Sequence, residues 1–326
     1  MWTPRFERFV APARARPQLW RLILGVLLIG AIMFLAFIIF SIGLRAVFGQ
    51  AEANAYLSSL STGGTPTLVV MMLAMFIWPL LGAIVVVRML HRRSVTTVFG
   101  PGLLRDFFTA AAIAALVFVG ATLVLPMPFD PVPNVPMSLF LSFLPLAVIA
   151  LGIQTFAEEV VFRGYMQQQL AARFRNPLIW MLIPAVFFGS LHSDPFGGVD
   201  KLWLMLPPTL FGLIAADLTR VTGSIGAGWG LHFTNNASAI LILSLDGNLS
   251  GLALYRTPFG VEALSLSNPL VWQEMLITVI VWASIRLWLA RGGAISGGGT
   301  SGGNRDDSQD AGQDADRSRE NSPGPG

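Results

Sequence analysis

Apolar runs of membrane-spanning length recur along almost the whole of this chain. A helix needs about 20 apolar residues to cross the hydrocarbon core of a bilayer. Segments 22–43, 67–87, 107–127, 138–158, 178–193, 202–217, 224–244 and 270–290 meet or approach that length. The expected fold is an all-α polytopic membrane protein of about eight transmembrane helices. The fifth and sixth runs are short and carry Pro184, Pro207 and Pro208. Prolines free backbone carbonyls, which a membrane tolerates where neighbours or a polar cavity satisfy them again. Composition agrees: 54% of residues are hydrophobic and 12% charged, against about 25% charged in a soluble domain. Cysteine is absent, which excludes a disulfide framework, a thiol nucleophile and a cysteine-ligated metal.

Three parts follow. Residues 1–21 form a basic N-terminal segment with Arg5, Arg8, Arg14, Arg16 and Arg21. The run behind it has full spanning length and no cleavage site, so it reads as an anchor and not as a signal peptide. Residues 22–292 form the transmembrane domain. Residues 293–326 are rich in Gly, Ser and Asp, and such a segment cannot bury enough surface to order itself. Loop arginines set orientation. Arg88, Arg92, Arg93, Arg105, Arg173, Arg175, Arg220, Arg286 and Arg291 fall on one side, while Arg45, Lys201 and Arg256 mark the other. This places both termini in the cytoplasm of a cell inner membrane. The basic residues fit orientation, not nucleic-acid binding.

Against this apolar background stand Glu158, Glu159 and Arg163. Ionisable groups inside a membrane segment are costly and point to function. Glu159 and Arg163 are four apart and share a helix face. Glu158 points about 100° away, which leaves it without a local cation and able to act as a general base. His192 ends a short apolar helix with Phe188 one turn below it. His232 and Asn236 share one face of the seventh helix and offer hydrogen-bond donors of the kind an oxyanion requires. If the helix of Glu158 continues through Leu170, Glu158 and His192 stand at similar heights above the turn near Arg175. Gln167, Gln168, Gln169 and Arg173 make the end of that segment polar, so part of it is expected to protrude from the bilayer. His91, beside Arg92 and Arg93, reads as a solvated loop residue, and Asp217 with Arg220 as a loop ion pair.

Three motifs carry a resemblance. EExxxR at Glu158, Glu159 and Arg163, FxxxH at Phe188 and His192, and HxxxN at His232 and Asn236 are similar to those of the CPBP family of CAAX prenyl proteases and bacteriocin-processing or immunity proteins. The likeness covers about 140–240, which sets the CPBP-like core at about 140–245. It implies an intramembrane endopeptidase acting on a membrane-associated protein or peptide. By that resemblance Glu158 is the base, His192 helps hold the water, Arg163 positions Glu159 and the doublet, and His232 with Asn236 stabilises the oxyanion. The family has also been described as metal-dependent. Zinc could then be held by Glu158, His192 and His232, although the HExxH spacing is lacking; the metal-free glutamate–water route is preferred. Two other functions fit the same residues. One is a non-catalytic scaffold or immunity protein. The other is a transporter using the glutamates and histidines as a proton or ion relay, for which the internal symmetry common in transporters is not seen.

Overall fold

The computed structural model describes residues 2–193, 199–247 and 249–297. Helix α1 (Pro4–Val10) opens the chain. Thr3 caps it, its Oγ1 accepting from the Phe6 amide at 3.1 Å, and Pro4 occupies the first turn, where no intrahelical N–H is needed. This stretch is not simply a basic arm: Phe6, Phe9 and Val10 are buried, and the Phe6 ring lies 4.9 Å from that of Trp180. Helix α2 (Leu19–Phe48) is apolar on every side, with Leu27, Phe34 and Ile39 each more than 60% exposed. A helix of that kind belongs in lipid.

Next come α3 (Gln50–Thr62), α4 (Pro66–Ala74) and α5 (Ile77–Met89). The last two make one span with a break at Met75 and Phe76. Helix α6 (Leu103–Val124) is followed by strand β1 (Val132–Pro133). Helix α7 (Met137–Glu159) passes into a π-helical stretch, Val160–Gln167, and then α8 (Gln168–Arg173). Helices α9 (Ile183–Ser190), α10 (Leu206–Thr222) and α11 (Gly226–Ala237) complete the core, and a π turn, Ser238–Ile242, extends α11. Strands β2 (Leu243–Ser244) and β3 (Tyr255–Arg256) precede α12 (Pro269–Gly297). The sheet order is β1-β3-β2, with Val132 opposite Arg256 and Leu243 opposite Tyr255.

Among the described residues six helical segments are long and apolar enough to cross a membrane; α9 with its preceding turn, 178–190, is apolar but shorter. The expected seventh run is α11 with its π turn, also short of the length the other spans reach. The polytopic all-α class therefore holds, with six full-length spans where about eight were expected. Met1–Arg286 forms one unit and Leu287–Gly326 a second. Within the latter, α12 runs to Gly297 and so takes in the first five residues of the expected tail, 293–297; 298–326 lies outside the described residues.

Lipid is as apolar as leucine, so helices in a bilayer associate through close packing, often at small-xxx-small faces. Gly226 and Gly230 supply such a face on α11. A Cβ on Gly226 would strike the Leu103 carbonyl, and one on Gly230 the Phe107 carbonyl, both on α6. The two helices thus touch backbone to backbone. Gly230→Val is expected to destabilise the fold by about 1–3 kcal/mol, the usual range for overpacking, as read by thermal unfolding in nanodiscs. Unchanged stability would show that α6 and α11 tolerate separation.

The glutamine run is buried within the protein. Gln167 donates to the Ala216 carbonyl (3.0 Å), and Gln168 to those of Phe9 (2.6 Å) and Thr97 (2.7 Å). Gln169 donates to His91 Nδ1 at 2.8 Å, so the His91 proton sits on Nε2, 3.0 Å from the Tyr165 hydroxyl. His91 is only 3% exposed, which overturns the solvated reading: the interior needs a neutral donor–acceptor here. Burial, and then the Arg93 charge, push its pKa down to about 4 from 6.5. Between those values the unfolded chain binds a proton that the folded one excludes. Stability is expected to be full above about pH 6.5 and to fall as pH drops towards 4. His91→Gln should flatten that profile in thermal melts; an identical acid slope in the variant would contradict it.

Candidate active site

Helix α7 delivers Glu158 and Glu159 to the interior at its last turn, and the π stretch begins at the next residue. π-Helical turns are rare and often mark functional sites. Arg163, inside that stretch, keeps its pairing: its Nη1 lies 3.0 Å from Glu159 Oε1. The Arg163 guanidinium also packs against Phe188 (4.9 Å to the ring centre) and Phe211 (5.3 Å). A cation over an aromatic face recovers part of the cost of leaving water.

His232 of α11 sits between the two carboxylates. Its Nδ1 is 3.0 Å from Glu159 Oε1, and its Nε2 is 3.3 Å from Glu158 Oε2. Carboxylates only accept. The Nδ1–H therefore donates to Glu159, while Nε2 approaches Glu158 outside hydrogen-bond geometry. The Arg163 guanidinium stands against Glu159, so that buried carboxylate is not left without a cation. Phe211 stacks on the His232 ring at 4.7 Å and Phe188 meets it edge-on at 5.9 Å.

The two glutamates are not equivalent. The Glu159 side chain is 0% exposed and carries both Arg163 and His232. The Glu158 side chain is 10% exposed, and its Oε2 has no hydrogen-bond partner among the described residues. Gly228 makes room for the buried one: a Cβ there would lie 2.9 Å from Glu159 Oε2.

Asn236 lies one turn beyond His232. Its Nδ2 donates to Gln154 Oε1 at 3.1 Å, which leaves a second N–H on the same amide. His192 is brought near but not in. Its ring is exposed and lies 4.5 Å from Phe188, and its Nδ1 donates to the Phe188 carbonyl at 2.8 Å. That bond leaves Nε2 as an acceptor. Among the described residues, no hydrogen bond or ion pair joins His192 to Glu158. The structure thus gathers Glu158, Glu159, Arg163 and His232 into one cluster, with Asn236 beside it and His192 beyond Phe188. Sequence reasoning misses Gln154 and Gly228. Gln154 has a signal, a polar residue one turn before Glu158 in an apolar helix. So does Gly228, between the glycines of Gly226-xxx-Gly230.

Residues 140–238 match the family model described as type II CAAX prenyl endopeptidase Rce1-like. That model is one of the CPBP family, so the likeness of this core is to a CPBP core. All the cluster residues, on α7, the π stretch and α11, lie within the matched range. The chain is also 25% identical over 312 residues to the uncharacterized protein YyaK of Bacillus subtilis (strain 168), a likeness covering 86% of this chain and 95% of that protein. The long apolar helices and this likeness together point to a multi-pass membrane protein.

Metal ligation is the alternative chemistry for these residues. Among the described residues no three His, Asp or Glu side chains are grouped to hold an ion. His192 stands apart from Glu158, and both nitrogens of His232 already face carboxylates. Glu158, His192 and His232 do not form such a group in this structure.

Proposed function

We propose that the chain is an intramembrane endopeptidase that hydrolyses a peptide bond in a membrane-associated protein or peptide. The observation that carries this reading is the His232 imidazole seated between the Glu158 and Glu159 carboxylates in a CPBP core. Glu158, the more open carboxylate, takes a proton from water as its oxygen attacks the scissile carbonyl carbon. Positioned general bases contribute about 10²–10⁴-fold. His232 holds Glu158 in place, and Glu159 with Arg163 holds His232. The free N–H of Asn236 meets the oxyanion. His192, through its open Nε2, orients the water once substrate closes the site. The proton on Glu158 then passes to the leaving nitrogen as the C–N bond breaks, giving a carboxylic acid and an amine and returning Glu158 to its ionised form.

On this reading the membrane is the cell inner membrane, with both termini cytoplasmic. The substrate need not be prenylated, because nothing in the cluster addresses a prenyl group. The test is the full chain reconstituted in nanodiscs with a library of membrane-anchored peptides, with new termini read by mass spectrometry. Cleavage that survives a chelator is expected. Loss on chelation, restored by zinc, would overturn the metal-free step.

A further inference from the structure

The face that carries α1 holds a cluster of guanidiniums outside the active site. Arg16 Nη1 (3.5 Å) and Arg21 Nη1 (2.6 Å) both reach the Leu90 carbonyl. Arg92 follows two residues after Leu90. Partial burial, then the Arg92 and Arg21 charges, lower the Arg16 pKa, so Arg16 lies within reach of both charges. Arg93 adds a fourth positive charge, bonded inward to Gln168 (2.5 Å) and Thr97 (3.2 Å), with buried Nε and Nη2 left unpartnered. Among the described residues no carboxylate pairs with any of the four. Their neighbour Arg14, by contrast, pairs with Glu7 at 2.5 Å.

Two further features show that this is more than a solvated basic loop. Arg92 has φ of 50°, in the left-handed region where a side chain is strained and Gly or Asn is usual. A strained backbone holds this cation where it is, and such strain collects at functional positions. Beside it, Trp20 is 55% exposed with the Arg21 guanidinium 4.5 Å over its ring. Exposed tryptophan at the start of a lipid-facing helix marks headgroup level. The N-terminus of α2, which has no side-chain cap, adds its positive end at the same place.

We propose that Arg16, Arg21 and Arg92 bind the phosphate of an anionic phospholipid headgroup at the membrane surface. The chemistry is bidentate guanidinium recognition of phosphate oxygens. The site is tied to the catalytic helix, since the Arg21 carbonyl accepts from the Tyr165 hydroxyl at 3.2 Å, six residues after Glu159. A ligand that binds only the folded state raises its stability, which gives a readout independent of catalysis.

The experiment is thermal unfolding of the full chain in phosphatidylcholine nanodiscs titrated with phosphatidylglycerol. The unfolding temperature is expected to rise with phosphatidylglycerol in the wild type and in Arg14→Gln. In the double variant Arg16→Gln, Arg92→Asn the apparent affinity should fall about 30-fold, from two lost arginines near an anionic surface. Asparagine accepts the left-handed backbone, so this variant should melt with the wild type in pure phosphatidylcholine; should it fail to fold, Arg16→Gln alone serves, with a smaller loss of the shift expected. An undiminished shift in the folded variant overturns the proposal. So does inorganic phosphate producing the full shift in pure phosphatidylcholine, which would make the ligand a free anion.

Discussion

Glu158→Gln is expected to abolish cleavage, lowering the rate about 10²–10⁴-fold, the range a positioned general base supplies. The change keeps the shape and reach of the side chain and removes its charge and its capacity to take a proton. Glu158 is the more exposed of the doublet, and its Oε2 is 3.3 Å from His232 Nε2. A glutamine there still places an oxygen or an amide at His232. Folding should therefore persist, with a thermal melt close to the wild type. The fall should appear in kcat more than in KM, because the proton transfer belongs to the transition state. Retained turnover with a folded protein would remove Glu158 from the role of base.

The largest loss of stability is expected from Arg163→Met. Arg163 is 2% exposed and Glu159 0%, and the two meet at 3.0 Å. Removing the cation leaves a buried carboxylate with His232 as its remaining partner, and breaking such a pair costs about 3–5 kcal/mol. Replacing both, Arg163→Met with Glu159→Gln, should recover much of that loss, because the orphaned charge goes too. A double-mutant cycle by thermal unfolding in nanodiscs measures the coupling directly. A single Arg163→Met variant as stable as the wild type would show that His232 alone neutralises Glu159. Loss of activity in the stable double variant would assign the pair a positioning role beyond its structural one.

The residues that form the cluster are legible in the sequence because charge is scarce in this chain and helix geometry is regular. A spacing of four is enough to join Glu159 to Arg163, and that pair stands even though the intervening backbone is π-helical. What spacing within one helix cannot give is the register between helices. Spacing pairs His232 with Asn236 at an oxyanion, yet His232 lies between the two carboxylates. That placement follows from α11 resting on α6 through Gly226 and Gly230, a close approach that depends on which helices become neighbours. Burial inside the bundle is equally hidden from a linear reading. Gln167, Gln168, Gln169 and His91 look like loop and interface residues by polarity, and all four are enclosed because each finds a partner there. The arginines of the N-terminal segment dominate its sequence, whereas its phenylalanines decide where it packs.

The central claim is that this cluster hydrolyses peptide bonds in membrane substrates. Its most direct test compares new N- and C-termini across the membrane proteome of cells lacking the protein and supplied, at equal levels, with wild type or Glu158→Gln. The account predicts a defined set of termini present with the wild type and absent with the variant. Identical profiles, with both proteins folded and inserted, would contradict it and leave the cluster as the core of a non-catalytic scaffold.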